Sequence, residues 1–169
     1  MAEGRLFPAS LTDPAADATD ATVVLSRDHE RLRRRLQDLS AASAEGDVER
    51  KKALFRAFKT ELQDHVRLEE EVFYPAVMKL RSAAARLQVK EALEEYQAVD
   101  SIVAEIEQME PDESEYDAKV DGLRASIERH IEDERAMFAE ARNHLTDDRL
   151  QALGRRMMSL LSSPPGAAE

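Results

Sequence analysis

Five side chains in this sequence pair a metal-ligating chemistry with positions where polar groups are costly. His29, His65, Glu69, His130 and Glu134 fall on lines otherwise made of Leu, Val, Ile, Phe and Met. A carboxylate taken out of water without a partner loses on the order of several kcal/mol, or else takes up a proton. Two carboxylates and three imidazoles on inward lines therefore call for a shared explanation. His65 and Glu69 are four residues apart and project from one face of a helix; His130 and Glu134 repeat the spacing. Imidazole with carboxylate suits iron, zinc or manganese, and the absence of cysteine removes thiolate zinc and iron–sulfur clusters.

The two H-x-x-x-E segments are related. HVRLEEEVF and HIEDERAMF align over nine residues without a gap, 65 positions apart, and Tyr96 lies 67 positions after His29. The chain reads as two copies of a helix pair, with Tyr96 standing in the second copy where His29 stands in the first. His29 to His65 spans 36 positions and Tyr96 to His130 spans 34, with Gly46-Asp47 and Pro111-Asp112 near the midpoints. Antiparallel helices folded at those turns bring all four positions to one level, because the rise per residue is equal on both arms. Six side chains then meet in one layer. Two facing carboxylates are able to bridge a pair of ions. Three imidazoles, one phenol and two carboxylates offer roughly eight donor atoms, which leaves open positions around two ions that want about five or six contacts each.

The elements that must carry these residues are helices. Apolar residues recur at alternating spacings of three and four nearly everywhere after residue 20. A first helix over residues 21–44 shows Leu25, His29, Leu32, Leu36 and Leu39; a second carries Phe55, Phe58, Leu62, His65, Glu69, Val72 and Ala76, with Pro75 expected to kink or end it. A third, over 83–110, offers Val89, Ala92, Tyr96, Val99, Val103 and Ile106, and a fourth Val120, Leu123, Ile127, His130, Glu134, Met137 and Ala141. Thr146 caps a short fifth helix, expected as a lid on the bundle end. The fold expected is all-α, an up-down-up-down antiparallel four-helix bundle with a short C-terminal fifth helix. The organisation expected is an arm over 1–20, the bundle over 21–145, and the short helix and tail over 146–169.

Composition agrees and excludes. Of 169 residues 35% are charged and 5% aromatic, with five Gly and six Pro, a balance that favours helix over sheet. The net charge of −11 argues against a nucleic-acid partner, so Arg31, Arg33, Arg34 and Arg35 read as a solvated helix face. No apolar run reaches the roughly 18–20 residues that cross a bilayer, and the amino terminus lacks a signal-peptide pattern, so a cytoplasmic location is expected.

With these residues in place, the sequence resembles the hemerythrin-like family, the HHE cation-binding domain. The likeness rests on a His in the first-helix DHERL, on H-V-R-L-E-E-E-V-F-Y-P-A in the second helix and on H-I-E-D-E in the fourth, and it covers about residues 25–142. It implies that His29, His65, Glu69, His130 and Glu134 ligate two iron ions, oxo- or hydroxo-bridged, with Glu69 and Glu134 bridging; zinc or manganese are the other metals considered. In E-A-L-E-E-Y-Q-A-V-D the family usually has His where this chain has Tyr96. Tyr96 ligates as a phenolate, or hydrogen-bonds a metal-bound water, or the second metal is weak or absent; direct ligation is the expectation, because the duplication puts it at ligand depth. A phenolate is a hard anionic donor that favours ferric iron, and the sequence lacks the paired His-x-x-x-His of oxygen carriers on the third helix. A bulk oxygen store is therefore not expected. The resemblance implies a non-haem di-iron protein that binds, senses or detoxifies a small oxidant (O2, NO or peroxide), as a monomer or weak homodimer with an unknown protein partner if it signals. The alternative is a metal-depleted or single-metal bundle acting as a scaffold.

Tyr74, nine positions past His65, is expected to face elsewhere or cap the pocket, and His144 to serve as a charge at a helix C-terminus. Glu70, Glu71, Glu94 and Glu95 read as solvated flanks, one of which could accept a hydrogen bond from a ligating His.

Overall fold

The computed structural model describes residues 19–162, so most of the expected arm and the tail after residue 162 lie outside the described residues. Helix α1 (Ala21–Glu45) starts where Asp20 accepts a hydrogen bond from the Thr22 amide at 2.7 Å. It stops at Gly46, whose φ of 70° is a conformation that only glycine adopts without strain. The Gly46 amide donates to the Ser43 carbonyl and the Asp47 amide to the Ala42 carbonyl, so the last carbonyls of α1 are satisfied. Asp47 then accepts from the Arg50 amide at 3.0 Å and opens α2 (Val48–Leu68) within three residues. Two long helices joined by so short a turn have no choice but to lie antiparallel.

The second arm does not end at Leu68. It continues through a π-helical turn (Glu69–Phe73) into one further turn, α3 (Tyr74–Val77). Pro75, expected to kink or end the arm, stands in its last turn: the arm ends at Val77, two residues on, and its geometry changes just before the ring. A proline ring clashes with the carbonyl four residues back in a regular helix. Here the chain has already widened by one residue, with the Tyr74 amide donating to the Glu69 carbonyl five residues back.

Ser82 caps α4 (Ala83–Glu107) by accepting from the Ala85 amide at 3.1 Å. This helix stops three residues short of the expected 110. The residue before Pro111 is disfavoured in helical geometry, and the Glu113 side chain instead accepts from the Glu110 amide at 2.6 Å in a turn. The longest helix, α5 (Tyr116–His144), returns beside α4, and Thr146 caps α6 (Asp147–Leu161) by accepting from the Arg149 amide.

Packing follows the stripes read from the sequence. Leu25, Leu32, Leu36 and Leu39 of α1, Phe58 and Leu62 of α2, Val89 and Val99 of α4, and Leu123, Ile127 and Met137 of α5 are all buried in one core. The pairs α1/α2 and α4/α5 run together, and α1 packs on α5 to close the bundle. Two arginines of α1 tie neighbouring helices, Arg33 by a forked ion pair with Glu128 of α5 and Arg35 by meeting Glu61 of α2 at 2.5 Å, while Arg31 and Arg34 stay exposed. Helix α6 covers the end where α1 begins and the second arm finishes, burying Leu150, Leu153, Gly154 and Met157. Gly154 is required there, since a Cβ at that position would lie 1.6 Å from the Thr19 carbonyl oxygen. Among the described residues no helix is long and apolar enough to cross a membrane.

Candidate metal centre

Equal arm lengths bring the expected residues to one level. His29 on α1, His65 on α2, Glu69 at the first position of the π turn, Tyr96 on α4, and His130 and Glu134 on α5 are all at most 4% exposed. Donor atoms of the three histidines and two glutamates lie within 4.8 Å of one another. His29 Nε2 is 3.0 Å from Glu134 Oε2, His65 Nε2 is 3.1 Å from Glu69 Oε1, and His130 Nε2 is 3.8 Å from Glu69 Oε1.

These short approaches are not hydrogen bonds. His29 Nε2, both ring nitrogens of His65, Glu69 Oε1 and both carboxylate oxygens of Glu134 are buried and have no aligned hydrogen-bond partner. Buried side-chain polar atoms are ordinarily paired, so six orphans in one layer are the abnormality to explain. Apart from His65 Nδ1, which faces Asp28, their lone pairs converge on common space instead of on each other's protons. A cation with nitrogen and oxygen preferences satisfies them together, and the donor set fits such an ion.

Tyr96 joins the same layer. Its hydroxyl donates to Glu69 Oε2 at 2.5 Å and lies 2.9 Å from His130 Nε2. Of the two expectations for Tyr74, that it faces elsewhere or caps the pocket, the structure removes the first. The side chain is buried, and its hydroxyl donates to the same Glu69 Oε2 at 2.7 Å. In a regular helix the fifth residue on points well away from the first, whereas a turn bonded i to i+5 brings it nearly overhead. The π turn is what delivers this phenol, and helical periodicity carries no trace of it.

The electrostatics of the two carboxylates diverge. Burial opposes the charge of Glu69, but the facing His65 and His130 hold its carboxyl well below the usual range. Burial raises the Glu134 carboxyl well above that range, and the neighbouring Glu69 charge adds to the effect. Burial, with the charge of His65, pushes His29 down to about 2. His65 is also penalised by burial, but Glu69 and Asp28 carry it up to about 9. Burial and then the Glu69 charge raise both Tyr74 and Tyr96. Without a cation, the layer thus favours ionised Glu69 and neutral Glu134. A bound cation would favour the ionised form of both carboxylates and the neutral form of the imidazoles it touches, reversing Glu134 and His65 while reinforcing Glu69.

Two further carboxylates stand behind the histidines. Glu95 Oε2 lies 3.2 Å from His130 Nδ1, so of the four flanking acids it is the one that accepts from a histidine. Asp28 Oδ2 lies 3.9 Å from His65 Nδ1 and is 5% exposed. A carboxylate there favours the proton on Nδ1 and leaves the Nε2 lone pair for a metal. Asp28 escaped the sequence reading, yet a signal existed: it precedes His29 as Glu95 precedes Tyr96, at the same offset of 67. Phe138 stacks on His29 at 5.9 Å and meets Phe73 edge-on, an apolar wall against water. Glu70, Glu71 and Glu94 are exposed, and His144 is exposed at the end of α5 with Nδ1 3.0 Å from the Glu140 carbonyl.

The sequence pattern of the hemerythrin HHE cation binding domain matches residues 20–141. A crystal structure of a hemerythrin HHE cation binding domain-containing protein from Mycobacterium kansasii superposes with a TM-score of 0.74 and 24% identity, covering 85% of each chain. At that identity the likeness speaks for the fold alone. No curated protein matches.

Proposed function

The chain belongs to the hemerythrin HHE cation binding domain family, and from that premise we propose that its buried layer is a non-haem iron centre that binds a small oxidant such as O2, NO or peroxide. The observation that carries the reading is the set of five buried atoms in a single layer, His29 Nε2, His65 Nε2, Glu69 Oε1 and both Glu134 oxygens, that have no partner. His29, His65, His130, Glu69 and Glu134 would hold the metal, with Tyr96 as a sixth group. Two ions are favoured, because the donor atoms of six residues exceed what about six contacts around one ion can use. Bound iron would supply a redox-active electron-pair acceptor.

The chain's own residues would shape that centre in separable ways. Asp28 and Glu95 hold the protons of His65 and His130 on Nδ1. Tyr74 fixes one oxygen of Glu69 and so limits how that carboxylate can turn. Phe73 and Phe138 exclude water. Tyr96 supplies a hard oxygen that, once deprotonated, favours the ferric state, which makes bulk oxygen carriage a poor fit.

Iron analysis of protein expressed with ample iron should give about two ions per chain, and the visible spectrum should carry a long-wavelength phenolate-to-iron band that Tyr96→Phe abolishes. Retention of the band in that variant removes Tyr96 from the ligand set. Less than one tightly held ion per chain removes the metal reading itself and leaves a helical scaffold. A single-ion centre is the second reading, favoured by the mutual spacing of at most 4.8 Å among the five His and Glu donors; a stoichiometry of about one would select it.

A further inference from the structure

A groove of about 740 Å3 runs between α4 and α5 and reaches the layer from outside. His130 and Glu134, each 2% exposed, form its inner lining. Glu95, with its side chain 28% exposed, stands between them and solvent. Glu91, Glu94, Glu132 and Asp133 line the outer part and are exposed. Against these six carboxylates the lining holds one guanidinium, Arg129.

An acidic cluster alone would mean little on a chain of net charge −11. Two observations set this one apart. The inner lining includes Glu134, whose carboxylate oxygens are both buried and unpartnered. Moreover, neither of two other cavities, of about 420 and 390 Å3, is lined by any residue of the layer. The first mixes Lys59 and Arg67 with its acids, and the second is lined by Lys79, Arg81 and Arg149. A cleft with walls of one sign focuses its field and raises the arrival rate of the opposite charge by ~10–1000-fold.

Resting on the metal reading above, we propose that the α4–α5 groove is the loading route by which a divalent cation reaches the layer, with Glu95 as the last carboxylate it meets before His130 and Glu134. The cation sheds water in stages along this path, from exposed carboxylates to a half-buried one to a buried one. The same field repels anions, so oxidants entering here would have to be neutral.

The test is the rate at which metal-free full-length protein takes up cobalt(II), followed by its visible absorption, with bound metal measured at the end. A variant carrying Glu91→Gln, Glu94→Gln, Glu132→Gln and Asp133→Asn should load tenfold or more slowly and reach the same final content. A control with Glu49→Gln, Asp112→Asn, Glu115→Gln and Asp121→Asn changes the net charge equally at the far end of the bundle, and should load within about twofold of the parent. Raising salt from about 0.01 M to about 1 M, which shortens screening from ~30 to ~3 Å, should slow the parent and the control but not the groove variant. Glu95→Gln should also slow loading, and because Glu95 backs His130 its rate is compared at a cobalt concentration that saturates the weakened site. Equal rates for groove and control variants overturn the route while leaving the centre intact. A parent that binds neither cobalt nor iron at equilibrium overturns both.

Discussion

Residues 65–74 and 130–139 are the same segment written twice, and they do different things. Each sets a histidine and a glutamate four residues apart on an inward face, and each carries a phenylalanine that meets the other at 5.4 Å. Each carboxylate also faces the first-helix residue of the opposite copy, Glu134 against His29 and Glu69 against Tyr96. The backbones diverge inside the alignment, at the π turn Glu69–Phe73, and the residues just past it differ as well. Tyr74-Pro75 follows the first copy and Ala139-Glu140 the second. The first turns π-helical and lays a phenol over Glu69, while the second stays α-helical within α5 and leaves Ala139 outside the core. Glu69, faced by His65 and His130, keeps its charge and receives two hydroxyl donors, whereas burial and the Glu69 charge push Glu134 toward the neutral acid. A near-symmetric sequence has produced an asymmetric pair of carboxylates.

Making each carboxylate apolar in the metal-free protein should expose this asymmetry most strongly. Glu69→Leu strands the hydroxyl of Tyr74 and removes the counter-charge of His65, so it should cost about 3 kcal/mol, at ~1–3 kcal/mol per buried donor left unmade. Glu134→Leu removes a buried group that had no hydrogen bond to lose, so it should be neutral or stabilising by up to ~1–2 kcal/mol. Urea unfolding with a chelator present measures both. Equal losses would mean that the two copies are electrostatically alike after all. With iron supplied, the contrast should vanish, since both variants lose a ligand and hence the stabilisation that binding adds.

The layer was legible in the sequence because its evidence is one of type against place. A histidine or glutamate on a Leu/Val stripe is visible from spacing alone, and equal arm lengths fix the depth of His29, His65, Tyr96 and His130. The family pattern over residues 20–141 bears out the resemblance drawn from DHERL and the two H-x-x-x-E strings. What escaped was whatever breaks helical period. Tyr74 reaches Glu69 only through an i to i+5 turn, and no count in threes and fours finds it. Asp28 sits one position from His29, a quarter-turn away on the helix, where an acid reads as solvated until α2 is seen packed against α1. The far end of α4 falls short of its expected limit because Pro111 acts on the residues before it, whereas its own position marks only the latest possible stop.

Behind the histidines the two copies should agree. Asp28→Asn and Glu95→Gln each replace a charged acceptor with a neutral one, and each should weaken metal affinity by roughly 10–100-fold. Competition with a chelator of known affinity measures both. Asp28 is 5% exposed and Glu95 is half-buried at the groove, so the Asp28 variant should show the larger loss. The reverse order would mean that the acid beside His130, in the copy without a π turn, matters more to the metal than the one beside His65.

A finer contrast separates the π turn from the tyrosine it carries. Tyr74→Phe removes one hydrogen bond to a charged carboxylate and should cost about 1.5–2 kcal/mol in the metal-free protein. Ala139→Tyr installs the same side chain at the matching place in the second copy. There the chain is regular α-helix and the position lies outside the core, so the added phenol points away from the layer and stability should change by less than about 0.5 kcal/mol. Pairing Ala139→Tyr with Glu140→Pro restores the Tyr-Pro sequence of the first copy. If proline suffices to widen the preceding turn, the double variant gains a hydroxyl contact to Glu134, and fluorescence from the introduced tyrosine becomes shielded from a soluble quencher, measured with the other tyrosines as the baseline. If the double variant instead only loses about 3 kcal/mol, the usual cost of proline inside a helix, the π turn of the first copy depends on its packing under α6 as well as on Pro75. The contact of α6 with that turn is then part of the physical origin of the asymmetry, because a widened turn survives only where a neighbouring helix covers it.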